Sequence, residues 1–254
     1  MSKAAFAQKK RNPRRSRELS VVNDDNFDQQ TYRKPETVNT APIRAQNPAQ
    51  QRYIDAIHSK TITLASGPAG VGKTYLAGAL AADLLKAGKI DKIIITRPAV
   101  EAGEKLGFLP GEVDDKYAPY LAPFRDVLDE RLGKAFVSYL MKSGKIEAAP
   151  LAYMRGRTFK NAVVILDEAQ NTTPVQMKMF LTRLGVNATA IVNGDLQQKD
   201  IPGLSGFQDA ITRLSFIPSL AHVAFDHNDV VRSDIVQEIV QAYEVGVDPV
   251  YNDR

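Results

Sequence analysis

Residues 67–78 read GPAGVGKTYLAG, and Gly67, Gly72, Lys73 and Thr74 fill the pattern G-x-x-x-x-G-K-[ST]. Such a loop does one kind of chemistry well. Its glycines let successive backbone N–H groups of Gly67, Pro68, Ala69, Gly70, Val71 and Gly72 turn inward and wrap an anion, apart from proline, which has no N–H. The helix that follows adds partial positive charge at its N-terminus, beside Tyr75. Lys73 is expected to reach the β- and γ-phosphates of a nucleotide, and the Thr74 hydroxyl to ligate Mg²⁺. A plain glycine turn with Lys73 in solvent is the competing reading. It leaves unexplained why an apolar strand precedes the loop and a helical pattern opens straight after it.

A second chemical centre stands at 163–170, VVILDEAQ, where an apolar run ends in two carboxylates. Asp167 is placed to hold the Mg²⁺ shell, and Glu168 to activate a water for in-line attack on the γ-phosphate. Asp167 as a mere helix cap is the alternative. Gln170 either points back toward the site or faces solvent. A third strand end, 191–203 (IVNGDLQQKDIPG), carries Asn193, Gly194, Asp195 and Gln198. Polar groups beyond the carboxyl ends of parallel strands face the ligand. Asn193 and Gln198 are therefore expected to sense the γ-phosphate, with the KDIPG stretch as a mobile coupling piece.

These groups need strands that end together and helices that start there. Apolar runs at 61–67, 92–98, 162–170, 188–195 and 220–226 alternate with helical patterns at 45–59, 72–85, 174–185, 207–214 and 230–245. Residues 117–144 read as helices broken by Pro119 and Pro123, with a short strand at 145–150. Such alternation predicts an α/β fold, a mostly parallel sheet with helices on both faces.

The chain has 254 residues and 44% hydrophobic composition, enough for one sizeable core. It has no cysteine, which excludes disulfides and cysteine-held zinc. No apolar run approaches the ~20 residues of a membrane span, and the N-terminus lacks the apolar core of a secretory signal. A soluble, cytoplasmic protein that avoids membranes is expected. Residues 1–42 read as a basic, disordered tail and linker, and 43–254 as the folded domain. Lys3, Lys9, Lys10, Arg11, Arg14, Arg15 and Arg17 carry seven charges with no acid among residues 1–17. Without them the net charge of +4 becomes about −3, so the basicity belongs to the tail. The tail either holds nucleic-acid phosphates or only aids solubility. Elsewhere basic residues are scattered, and no aromatic stacking platform is obvious in the sequence.

Together these stretches resemble the PhoH family of phosphate-loop ATPases over residues 43–243. The likeness rests on GPAGVGKTYLA, TRPAVEAGEKLGFLPG, APLAYMRGRT, ILDEAQNTTPVQMKMFLTRLG, GDLQQKDIP and DVVRSDIVQEIVQAYE. The family is similar to the ATPase core of superfamily 1 helicases, which implies a RecA-like P-loop NTPase. The resemblance implies that Gln50 or Gln51, in NPAQQ, reads the adenine edge. It implies that the segment with Arg97, Gly103, Glu104, Lys105 and Gly107 meets single-stranded nucleic acid. Arg155 and Arg157 face either a phosphate or a structural ion pair. Arg232 is a candidate arginine finger, acting in cis or from a neighbouring subunit. The implied protein hydrolyses ATP with Mg²⁺, acts on single-stranded RNA or DNA, and self-associates into a ring, a hexamer. A nucleotide-controlled switch with slow turnover and no helicase activity is the alternative. A small-molecule kinase fits less well, because Glu168 is placed as a base for water. No N-K-x-D tetrapeptide marks a guanine site.

Overall fold

The computed structural model describes residues 38–98 and 113–231. The strongly basic segment 1–17, Gly103, Glu104, Lys105, Gly107 and Arg232 lie outside the described residues.

Six strands form one sheet: β1 (Ile62–Ser66), β2 (Lys92–Arg97), β3 (Ile146–Pro150), β4 (Ala162–Leu166), β5 (Ala188–Gly194) and β6 (Leu220–Ala224). Their order across the sheet is β3-β2-β4-β5-β1-β6, and every pair is parallel. Parallel neighbours require crossovers, which the helices supply on both faces. On one face lie α1 (Pro48–Ser59), α2 (Lys73–Lys86), α3 (Val113–Leu132) and α4 (Lys134–Lys142). They cover Ala65, Ile93, Ile95, Val163, Ile165 and Ile191. On the other lie α5 (Pro174–Leu181) and α6 (Gly206–Arg213), over Leu64, Ile94, Val164, Leu166 and Val192. The period of two along each strand sends alternate residues to the two cores. A strand buried on both faces must therefore read as continuously apolar, as β2 and β4 do.

The caps explain where several helices begin. Asn47 caps α1 by accepting from the Gln50 N–H, with Pro48 in the first turn. Thr173 and Gln176 form a reciprocal capping box at α5. The helix break predicted at the two prolines falls elsewhere. Helix α3 runs unbroken through Pro119 and Pro123, and the chain turns at Gly133, whose φ of 87° is left-handed. Pro123 is exposed, so the ring that cannot donate sits where distortion is tolerated. The glycine supplies the positive φ that the one-residue link between α3 and α4 needs. Of the closing helix expected at 230–245, Val230 and Val231 are not helical and the rest lies outside the described residues. Asn39 and Ala41, assigned above to the linker, bond to α3. The Asn39 N–H donates to the Glu130 carbonyl, and Arg131 donates to the Ala41 carbonyl at 2.7 Å.

One glycine shows how tightly the second face closes. A Cβ on Gly206, at the start of α6, would lie 2.3 Å from the Thr173 carbonyl oxygen. Backbone cannot yield as a side chain can. Gly206→Ala is expected to destabilise the domain by about 1–3 kcal/mol, seen as a fall of several degrees in the thermal melt. A wild-type melt would mean that α6 does not pack this closely.

Candidate functional site

The strand order decides which loops meet. β4, β5 and β1 are neighbours, so the residues after each emerge side by side at the carboxyl edge. Ser66 pairs with Gly194, and Leu166 with Val192. The Gly67 N–H donates to the Gly194 carbonyl, and the Asp167 N–H to that of Thr96. The resulting cleft of about 340 Å³ is lined by Ala69, Gly70, Gly72, Lys73, Thr74, Tyr75, Asp167, Glu168, Gly194, Asp195 and Gln198.

The loop after β1 has the backbone that its glycines allow: φ is 148° at Gly67, 90° at Gly70 and 89° at Gly72. At Gly67 a side chain is barred twice, since a Cβ would also sit 2.6 Å from the Phe225 carbonyl oxygen. Gly72 is the N-cap of α2 and offers no side-chain cap. The first N–H groups of α2 therefore stay available to an anion. Lys73 Nζ donates to the carbonyls of Gly67 and Pro68, at 2.7 and 2.8 Å, which holds it over the loop. Burial pulls its pKa down, while the carboxylates of Asp195, Asp167 and Glu168 pull it up. The loop is buttressed from outside as well. Gln50 donates to the Val71 carbonyl at 3.1 Å, and the Val231 N–H to that of Gly70 at 3.0 Å.

The acidic pair divides into unlike environments. Asp167 is almost fully buried and accepts from Arg97 Nε and Nη2, at 3.1 and 2.5 Å. Its burial raises the carboxyl pKa, which the Arg97 guanidinium opposes. Glu168 is 44% exposed on its side chain and adopts φ 56°, ψ 37°, a left-handed backbone that residues other than glycine rarely take. Such strain costs on the order of 1–3 kcal/mol and is typical of sites where a side chain must be aimed. Gln170 holds it there by donating to Glu168 Oε2 at 2.7 Å. The same amide donates to the Gln198 carbonyl and accepts from the Asp195 N–H. Of the two readings open for Gln170, the structure shows the inward one: it is 1% exposed and ties three segments of the site together. Asn171 extends that tie by exchanging two hydrogen bonds with Asp200, in the KDIPG stretch.

Several residues expected at the site stand elsewhere. Asn193 does not line the cleft. It is fully buried and accepts from the Tyr53 hydroxyl at 2.6 Å. The alternation along β5 points it under α1, leaving Gly194, Asp195 and Gln198 at the surface of the cleft. The Gln50 amide is buried, accepting from the Gln46 N–H while it donates to Val71. It braces the loop instead of presenting a free edge to a base. Gln51 is exposed and bonded to Asp55, one turn along α1. Arg97 is engaged by Asp167, with Glu168 at 3.8 Å. Arg157 takes the ion-pair alternative: it pairs with Glu147 and lies over the Phe159 ring. Arg155 is exposed. Tyr75 lines the cleft and donates to Glu130 at 3.3 Å. Arg97, expected to meet nucleic acid, stands instead on the acidic pair. Arg97 ends β2, next to β4, so the sheet order alone brings it to the acids.

Magnesium is a hard cation that takes oxygen ligands and keeps most of its waters. The Thr74 hydroxyl and Asp167 carboxylate at one cleft fit it in type. Among the described residues no cluster of three His, Asp or Glu side chains forms a closed metal cage. A metal held by one or two side chains and substrate phosphates needs none.

A parallel sheet with a phosphate loop after one strand and an acidic pair after a neighbour defines an α/β phosphate-loop NTPase fold. Residues 42–244 match the family model described as PhoH-like protein, and the chain belongs to the PhoH-like family. It is 52% identical over 209 residues to Protein PhoH of Escherichia coli K12, covering 81% of this chain and 59% of that protein. It is 52% identical over 204 residues to the PhoH-like proteins of Synechocystis and Bacillus subtilis. Those alignments cover 80% of this chain and 62% and 64% of the relatives, so it matches less than two thirds of each. A solved structure, the Pif1 helicase from Candida albicans, aligns over 80% of this chain and 44% of its own at 12% identity, with a TM-score of 0.42. That likeness is too distant to add to the fold assignment, which rests on the sheet and loop above. Among the described residues no helix is long and apolar enough to cross a membrane.

Proposed function

We propose that this chain is a Mg²⁺-dependent ATPase that couples hydrolysis to binding or remodelling of single-stranded RNA or DNA. The observation that carries the hydrolytic part is the convergence of two dissimilar carboxylates with the phosphate loop on one cleft. The α2 N-terminus and Lys73 bind and orient the triphosphate. Thr74 and Asp167 hold the metal, which when bound neutralises charge on the phosphate oxygens. Glu168, exposed and aimed by Gln170, orients a water and accepts its proton. Arg232 completes the charge in cis or from a neighbouring copy in a hexameric ring. Gln198 and Asp195, tied to Glu168 through Gln170, give the cleft a route to the KDIPG stretch.

A nucleotide-controlled switch uses the same cleft and differs in its slow turnover and in having no helicase activity. Phosphate release from ATP, with and without single-stranded RNA and DNA, separates the two, alongside a mass measurement of the assembly. Mg²⁺-dependent release stimulated by a strand, from a species several chains in mass, is expected. Transfer of the γ-phosphate to a metabolite without free phosphate would overturn the ATPase reading. Slow release indifferent to either strand would leave the switch.

A further inference from the structure

We infer that the outer face of α4 is a stacking platform for single-stranded nucleic acid, built on Phe136 and Tyr139. This rests on the nucleic-acid part of the proposed function and gives it a surface that the family motifs do not include. Helix α4 reads KAFVSYLMK. Its aliphatic residues Val137 and Leu140 are buried, at 0% and 3% exposure. Its two aromatics point the other way, with Phe136 46% and Tyr139 60% exposed. Single exposed apolar residues need no explanation, but two aromatic rings held side by side in solvent are uncommon. The rings are near parallel, 11° between planes and 6.1 Å between centroids. At that separation they are offset, so each keeps π-surface that a base can cover.

The charge around the rings narrows the occupant. Along α4 and the turn after it the charged residues are Lys134, Lys142 and Lys145, all exposed, and on α3 the acid Asp129 is paired with Arg125, which itself donates to Ser138 of α4. Aromatic faces with cations of one sign suit a strand of bases and phosphates. A self-complementary contact between two copies would set these lysines against their own equivalents. Two rings also offer far less area than the roughly 1,000 Å² of a stable protein interface. Helix α3 connects the platform to the nucleotide cleft. Glu130, three residues before the Gly133 turn into α4, accepts from Tyr75, which lines that cleft.

The absence of tryptophan from the chain allows a direct test. Fluorescence anisotropy would follow labelled oligouridine and oligothymidine on the wild type, on Phe136→Ala/Tyr139→Ala and on Lys142→Ala/Lys145→Ala, each as the full chain. Loss of both rings should weaken binding about tenfold or more, with the salt slope unchanged. Loss of the two lysines should instead make the slope shallower by about 1.4. Phe136→Trp should bind as the wild type does, and its emission should be quenched by the strand. Wild-type affinity in the ring variant, or an unquenched tryptophan on a protein that binds, would overturn the platform while leaving nucleic-acid binding intact. If neither strand bound the wild type, with or without nucleotide, the nucleic-acid reading would fall and the platform with it. A changed assembly mass in the ring variant, with affinity retained, would make this face a contact between copies and overturn the inference.

Discussion

Lys73→Ala is expected to weaken nucleotide binding about ten- to a hundredfold and to stop turnover. The affinity loss follows from removing charge-assisted bonds to phosphate, roughly 1.5–3 kcal/mol in sum. Turnover suffers more, because charge grows on the phosphate oxygens in the transition state and the ammonium has no substitute there. The fold should survive. Among the described residues Lys73 Nζ bonds to the carbonyls of Gly67 and Pro68, beside a cleft where water can replace it. A fluorescent-nucleotide titration and a phosphate-release assay read the two effects separately. Retained turnover would refute the assignment of this loop as the phosphate cradle.

Glu168→Gln should separate binding from chemistry. Nucleotide affinity should hold while hydrolysis falls by roughly 10²–10⁴-fold, the usual contribution of a positioned base. The substitution suits its purpose because it changes little else. Glutamine has the same shape, meets the same backbone strain at φ 56°, and its amide oxygen can still accept from Gln170. Asp167→Asn would be a poorer probe. It would leave Arg97 facing a neutral partner at a nearly buried position, so a loss of function would mix chemistry with folding. If Glu168→Gln abolished ATP binding instead, the exposed acid would belong to the metal shell and the two roles would need exchanging.

The parts of this site that were legible in the sequence are those made by contiguous residues. GPAGVGKT needs only a strand before it and a helix after it, and both follow from local apolar patterns. Asp167 and Glu168 were legible for the same reason, as two acids closing a continuously apolar strand. Asn193 was misplaced by one residue of strand phase. Alternation along β5 sends Asn193 inward to Tyr53, and the cleft is met by Gly194, where the strand ends, and by Asp195 just beyond it. The prolines of α3 misled in another way. A local rule marks proline as a helix breaker, yet the tertiary packing of α3 against α2 and α4 outweighs it, and the turn goes to Gly133. The outward face of Phe136 and Tyr139 is not legible in the sequence, because i, i+3 aromatics on a helix suit a core face as well as an exposed one. Only the packing of Val137 and Leu140 inward shows which side is which.

The amino-acid order by itself determined the phosphate loop and the acidic pair, because each is encoded within a dozen neighbouring residues, and the class of fold, because strand and helix patterns alternate along the chain. The tertiary structure decided which distant side chains serve them: Arg97 on Asp167 across 70 positions, Gln170 on Asp195 across 25, Gln50 on Val71 across 21. The physical reason lies in the sheet. Its order β3-β2-β4-β5-β1-β6 makes neighbours of strands that are far apart in the chain. Parallel pairing then brings their carboxyl ends to one edge, where a partner is chosen by register and strand phase, which residue types alone do not carry.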